Sequence, residues 1–441
     1  AVRHTQLATG STESLRHHYR EWVQKYDTLS LADTINHRAR IEGLMETARP
    51  RITVIMPVYN SPEPWLIKAI ESVRNQNYPN WELCIEDDAS TEPHVARILS
   101  DYAQRDKRIK VVSRAGNGHI SAASNSALAA ATGEFCALLD HDDELAPHAL
   151  AEVIYALARK PDLQFIYSDE DKIDEAGHRS DPYFKPDWNP DLLLGQNYTC
   201  HFSTFRTTLV RNLAGFRIGL EGSQDWDLTL RATADLSPDE IYHIPKVLYH
   251  WRAIPGSTAL VIDQKDDYPF VAAKRALSDH LSANNHDAEL IPVEGQHWRI
   301  KYQLPAPPPK VGIIIPTHNG YELLRNCLDS LRSLTDYPSY EIIVVNHRSD
   351  DPTILKYFRD IETEGVRVIE FDGAFNFSAI NNFAVRHTTS SVLAFLNNDL
   401  EAIHADWLTE MVSQAMRPKI GAVGAMLYFP DDTVQHAGVI L

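Results

Sequence analysis

Cysteine is scarce in this chain. The four cysteines, Cys84, Cys136, Cys200 and Cys327, lie far apart with no CxxC pair, which excludes a disulfide framework and the usual spacing of structural zinc sites. A reducing compartment is the expectation. Long apolar runs are missing too: none approaches the roughly 20 residues of a membrane span. The N-terminus, with His4, Arg16, His17, His18 and Arg20, has no signal-peptide stretch. Positive charge is the third shortage. With 42 basic against 60 acidic side chains and a net charge of -18, attraction to a phosphate backbone starts against an adverse field, so no nucleic-acid partner is expected. An anionic substrate needs a cation between its phosphates and the protein's carboxylates.

What is present is ordinary globular composition, 44% hydrophobic and 23% charged, in a chain of 441 residues. At roughly 150 residues per domain this length implies two or three domains. Residues 1–50 read as a helical N-terminal extension, with Leu15, Tyr19, Trp22, Val23 and Tyr26 on one face that packs on the next domain. From Arg51 onward short apolar runs alternate with helical stretches, the pattern of a parallel-type α/β sheet. Residues 51–260 are assigned to a first domain and residues 261–309 to a helical connector ending in the stiff LPAPPP linker at 304–309.

An internal repeat organises the rest. ITVIMPVYN, ending at Asn60, returns as VGIIIPTHN, ending at Asn319, and SAASNSALAAATGEFCALLDHDD, from Ser121, returns as SAINNFAVRHTTSSVLAFLNND, from Ser378. Pro57 to Asp88 spans 31 positions, as does Pro316 to His347; Pro57 to Asp140 spans 83 against 81 for Pro316 to Asn397. Residues 310–441 are therefore expected to be a partial second copy of the first domain.

In an open α/β sheet, ligands bind beyond the carboxyl ends of strands. In the first copy Pro57, Tyr59 and Asn60 follow one strand, Asp87 and Asp88 another, and Asp140, His141, Asp142 and Asp143 a third. Three carboxylates within four residues repel one another unless a cation relieves them, and a hard divalent metal able to accept phosphate oxygens is the economical choice. The loop after the first strand, PVYNSPEP, has no Gly-rich, basic character, which disfavours a nucleotidyltransferase.

PVYN, SVRNQNYPNWEL, EDDAS, SAASNSAL, LLDHDDEL, SQDWDLTLR and LYHWR occur in this order. The set resembles the family 2 glycosyltransferases of GT-A fold, and in particular tandem-domain members of bacterial surface-polysaccharide synthesis. The resemblance implies two tandem GT-A (Rossmann-like) domains, the first catalytic and the second truncated. It implies an inverting, metal-dependent transferase using Mn²⁺ or Mg²⁺, a nucleotide-diphosphate sugar donor and a glycan or lipid-linked glycan acceptor of O-antigen or capsule type. A cytoplasmic location follows, with room for peripheral association with membrane-bound assembly machinery at the inner face of the membrane.

Residue by residue, the resemblance gives Asp87 and Asp88 to the nucleotide, with Pro57 and Tyr59 lining its pocket. Asp140 and Asp142 form the DxD, with Asp142 or Asp143 the direct metal contact. His250 completes the metal or diphosphate site and Arg252 steadies the diphosphate. Asp225 matches the catalytic base. Asp227 is read as a residue that caps or orients its helix, and Trp226 as either a sugar-stacking face at the acceptor or core. His119, His141, His201 and His243 receive no role. YSDEDKIDEAG, from Tyr167, is read as an acceptor-side segment or a solvated loop. In the second copy Asn346, His347 and Asn397 replace Asp87, Asp88 and Asp140, so that copy is not expected to act alone. The competing reading for the whole chain is a non-catalytic nucleotide- or carbohydrate-binding scaffold.

Overall fold

The computed structural model describes residues 12–254, 268–295 and 297–438. Parts of the expected segments, residues 1–11, 255–260 and 261–267, lie outside the described residues, as does the side chain of Leu15. The chain divides into two compact units, Ala1–His286 with Leu290–Ile300, and Asp287–Glu289 with Lys301–Leu441.

The first unit opens with helices α1 (Thr12–Tyr26) and α2 (Leu31–Glu42). Alternating elements follow: β1 (Ile52–Val58), α3 (Glu63–Arg74), β2 (Trp81–Asp87), α4 (Pro93–Arg105), β3 (Ile109–Ser113), α5 (His119–Ala130) and β4 (Phe135–Leu138). Then come β5 (Glu144–Leu145), α6 (Ala149–Arg159), β6 (Phe165–Ile173), β7 (Arg179–Tyr183), α7 (Pro190–Gly195), β8 (Thr204–Arg206), α8 (Thr207–Asn212), α9 (Gln224–Thr233), β9 (Ile241–Arg252) and α10 (Tyr268–Ala283). Every residue of β1 and β2 is buried, as expected of strands covered by helices on both faces. The sheet runs β3-β2-β1-β4-β8-β6-β9-β5, with β7 on β6. β1 is parallel to β2 and β4, but β8 lies antiparallel to both β4 and β6. The sheet is therefore mixed, because apolar patterning reports burial and not strand direction.

α1 is held by its polar tips as much as by its apolar face. Tyr19 is buried and its hydroxyl donates to Asp171 Oδ2 at 2.7 Å, Arg179 bridges Asp27 and Asp171 at 2.5 Å each, and Trp22 meets Phe184 edge-on at 5.2 Å.

After α10, β10 (Ala288–Val293) and β11 (His297–Tyr302) make a two-stranded sheet where the sequence suggests only helix and linker. Its signature was the alternation that buries Trp298, Ile300 and Tyr302. The second unit then carries β12 (Val311–Thr317), α11 (Tyr321–Leu334), β13 (Tyr340–Asn346), α12 (Pro352–Thr363), β14 (Arg367–Glu370), α13 (Phe377–Val385), β15 (Val392–Phe395), α14 (Trp407–Ala415), β16 (Leu427–Tyr428) and β17 (Val434–His436). Its main sheet runs β14-β13-β12-β15, all parallel.

Individual hydrogen bonds repeat between the units. Asn60 has a left-handed backbone, φ 46°, and its Oδ1 accepts the Thr91 and Glu92 N–H groups at 2.8 and 3.2 Å. Asn319, φ 54°, does the same for Asp350 and Asp351 at 3.1 Å each. Asn tolerates this conformation better than most side chains. Asp87 Oδ1 accepts the Ser90 N–H at 3.0 Å, and Asn346 Oδ1 accepts that of Ser349 at the same distance. Because an amide performs this task in the second unit, the turn itself does not require a charge at Asp87.

Glu82 anchors the opposite, amino end of the first sheet. It accepts from Thr53 Oγ1 at 2.6 Å, Thr132 Oγ1 at 2.8 Å and Lys110 Nζ at 2.7 Å. Burial alone would raise its carboxyl, but these donors outweigh burial and hold it at about 2. A depressed folded value stabilises above the unfolded value of about 4.3, and that stabilisation is lost as pH falls toward the folded one. Urea unfolding is expected to show Glu82→Gln less stable by roughly 1–3 kcal/mol at pH 7, with the gap shrinking below about pH 4.

Candidate active site

The cleft lies at the carboxyl ends of β1 and β4. β4 ends at Leu138, and the chain turns through Asp140–Asp143 into β5, which pairs antiparallel with β9 so that Glu144 faces His250 and Leu145 faces Tyr249. This pairing sets the acidic turn against the LYHWR strand. Alternation along β9 then separates its residues. Tyr249 and Trp251 line a cleft of about 1050 Å³ together with Pro57, Asp140, Asp225 and His201; His250 and Arg252 do not.

Behind the turn the bonding is dense. Asp143 is buried, and its two oxygens accept the Tyr249 hydroxyl at 2.6 Å and the Arg252 N–H at 2.7 Å. Burial, with Asp142 and Asp140 nearby, pushes its carboxyl well above the ordinary range. Arg252 is fully buried, stacks over Trp65 at 4.3 Å, and donates to the carbonyls of Asp142 (2.6 Å) and Asp174 (3.3 Å) and to the carboxylate of Glu144. It braces the turn from behind, and its burial places it off the cleft lining where the sequence expectation put it beside a diphosphate. His250 Nδ1 is 2.6 Å from Asp171 Oδ1, within the network that holds Tyr19 and Arg179, so the strand's alternation carries it away from the expected metal site.

Asp140 and Asp142 are both partly exposed, and Asp140 lines the cleft. Enclosure raises the Asp140 carboxyl, with Asp142 and Asp225 adding to the effect and His201 opposing it. Asp225 stands in the first turn of α9, where Asn197 Nδ2 donates to its Oδ2 at 2.7 Å and so fixes the carboxylate's direction. Asp227 is buried between Arg217 and Arg231, each donating through Nε at 2.9 Å, a wholly structural setting. Trp226 is 4% exposed and its Nε1–H donates to the Leu193 carbonyl at 2.8 Å; it is a wall of the cleft, not an exposed stacking face.

At the carboxyl end of β2, Asp88 is buried, accepts the Gly118 N–H at 2.9 and 3.0 Å, and is ion-paired with Arg114, whose Nε lies 2.9 Å away. Asp87 pins the Ser90 turn, and Tyr59 remains 46% exposed beyond β1.

Sequence reasoning missed His201, Glu170 and Lys185. Asp169, Glu170 and Asp171 lie on β6, all buried, not on a solvated loop. Each has a basic partner: His243 at 2.8 Å, Lys185 at 2.8 Å and Arg179 at 2.5 Å. Burial works against charge on the His201 ring, but Cys200 and Glu170 outweigh it and raise the imidazole well above its usual value. The signal was the apolar FIY run leading into SDED, which marks a strand; the basic partners are too far along the chain to be seen from it.

The glycosyl transferase family 2 profile matches residues 53–214 and 312–439, and the chain belongs to this family. Its fold is α/β and GT-A-like. The chain is 46% identical over 397 residues to the protein y4gI of Sinorhizobium fredii, covering 89% of this chain and 43% of that one. To the O-antigen biosynthesis protein RfbC of Myxococcus xanthus it is 41% identical over 394 residues, covering 89% and 30%. The chain thus spans less than half the length of either relative. Among solved structures, S. aureus TarS 1-349 in complex with UDP-GlcNAc superposes with a TM-score of 0.43 at 21% identity, over 52% of this chain and 66% of that chain.

Arg252→Lys is expected to lower stability by about 2–4 kcal/mol, because one ammonium cannot satisfy acceptors arranged for a planar fork. Urea unfolding followed by tryptophan fluorescence checks this. A residue that only steadied the donor would leave the unfolding curve unmoved.

Proposed function

We propose that this chain moves a sugar from a nucleotide-diphosphate donor to a growing bacterial surface glycan, of O-antigen or capsule type, with inversion at the anomeric carbon. The observation that carries the reading is the placement of Asp225, its direction fixed by Asn197, on the same cleft as Asp140. The acceptor class rests on the likeness to an O-antigen biosynthesis protein.

Residues 51–260 form the catalytic domain in this reading, and residues 310–441 a second, partial copy. In the latter Asn346, His347 and Asn397 stand for Asp87, Asp88 and Asp140, so the cleft chemistry belongs to the first copy.

The donor set fits a hard cation: Asp140 lines the cleft, Asp142 is a second partly exposed carboxylate two residues on, and the turn's third carboxylate, Asp143, is already satisfied by protein donors. They would hold Mn²⁺ or Mg²⁺, which when bound neutralises the departing diphosphate. The chain's own residues do the rest. Asp225 accepts the proton of the acceptor hydroxyl as that oxygen bonds to the anomeric carbon and the bond from that carbon to the diphosphate breaks on the opposite face. Asn197 keeps the carboxylate aimed, and the walls at Trp226, Tyr249 and Trp251 limit water. A purely binding scaffold has no need of the oriented carboxylate at Asp225.

Among the described residues no helix is long and apolar enough to cross a membrane. The reading includes a lipid-linked acceptor reached from the cytoplasmic side and peripheral association with membrane-bound assembly machinery.

Asp225→Asn is expected to cut turnover by about 10²–10⁴ while leaving donor affinity within about twofold, since the base acts only on the acceptor. Asp142→Ala is expected to lose metal-dependent donor binding. Calorimetric titration of the donor beside a transfer assay separates the two, and an equal loss of donor binding in both variants overturns this division of labour.

A further inference from the structure

His201 stands where the loop before β8, strand β6 and the turn after β4 converge. Its ring lies flat on Tyr249, with centroids 4.4 Å apart and 11° between planes, and Trp251 meets it at 5.4 Å. The two ring nitrogens face different groups: Nδ1 is 3.3 Å from Glu170 Oε2 and Nε2 is 3.9 Å from Asp140 Oδ2. Glu170 is paired at 2.8 Å with Lys185 Nζ, whose side chain is completely buried, and the same ammonium donates to the backbone carbonyl of His201. One buried ion pair therefore holds the backbone of His201 and sets a carboxylate beside its ring.

Such a pair is costly to desolvate, and replacing it by apolar residues would often be neutral or stabilising for the fold. Glu170 stands 3.3 Å from the far nitrogen, on the side from which a carboxylate can hold a metal-ligating imidazole and leave the near nitrogen to the ion. The 3.9 Å between Nε2 and Asp140 Oδ2 is too long for a hydrogen bond. It suits two ligand atoms that share an ion, each about 2.0–2.2 Å from it and hence roughly 3–4 Å from one another. Asp140, Asp143 and His201 offer ligand atoms all within 4.8 Å of each other, and Asp143 is already taken up by Tyr249 and Arg252. Cys200 also approaches Glu170, with Sγ 3.5 Å from Oε2, but the Lys185 ammonium repels a cation from that side of the ring.

We propose that His201 Nε2 ligates the divalent cation beside Asp140, with Glu170 and Lys185 as positioning residues that hold its ring. His201 thus takes the place that sequence likeness gave to His250. The inference rests on reading the cleft as a metal-assisted donor site, and the test separates the two.

Electron spin-echo envelope modulation of Mn²⁺ bound to the full chain, in the presence of UDP, GDP, CDP or ADP, reads whether a nitrogen coordinates the ion. The expected result is a nitrogen coupling in the wild-type protein, lost in His201→Gln, with Mn²⁺ affinity weakened about 10–100-fold. The double variant Glu170→Gln, Lys185→Met, which leaves no lone buried charge, is expected to keep the coupling while weakening Mn²⁺ binding. Bound Mn²⁺ without nitrogen coupling in the wild type, or a coupling that survives in His201→Gln, overturns the assignment and leaves the donor-site reading standing. No Mn²⁺ binding with any of the four diphosphates overturns both.

Discussion

Like charges crowd the end of β4. Asp140, Asp142 and Asp143 follow one another within a single turn, Asp225 adds its charge from α9, and much of the first unit's architecture makes that crowding tolerable. From behind, Arg252 and Tyr249 take up Asp143 and the turn's carbonyls. In front, His201 faces Asp140, itself held by Glu170 and Lys185. What remains partly exposed is Asp140, on the cleft, and Asp142 beside it in sequence. A carboxylate whose neighbours are satisfied and whose position is braced from two sides is preorganised for a ligand, not for the fold.

β9 is the element through which this works. Its pairing with β5 brings the LYHWR strand against the acidic turn, and its alternation sorts the four polar residues into two pairs. Tyr249 and Trp251 serve the cleft. His250 and Arg252 serve the reverse face, where Asp171, Tyr19 and Arg179 connect the strand to the first helix. Binding surface and structural scaffold are therefore two faces of one strand.

Local signals carried the strand ends. Pro57, Asp88 and Asp140 follow apolar runs, and the repeat at Asn60 and Asn319 survives down to matching hydrogen bonds. Residue type and order were enough there, because a turn's chemistry is local. Strand faces were not legible: choosing between His250 and His201 needs to know which strand β9 pairs with and which way each side chain then points. Nor were the partners of the buried acids visible, since Lys185, His243 and Arg179 reach Glu170, Asp169 and Asp171 only through the fold. The antiparallel course of β8 escaped for a related reason: a short strand buried on both faces reads the same in either direction.

The two units show the difference between keeping a fold and keeping a site. Asn346 preserves the turn that Asp87 makes, so that position tolerates loss of charge, whereas the first copy's DHDD turn is braced by Arg252 and Tyr249. A donor diphosphate bridged by metal to that turn is the account's central claim. Thermal unfolding of the full chain with UDP, GDP, CDP and ADP, each with and without Mn²⁺, tests it most directly. One nucleoside diphosphate is expected to stabilise the protein only with metal, by about 2.7 kcal/mol at 100 times its dissociation constant. Stabilisation of equal size without metal, or by none of the four, would contradict it.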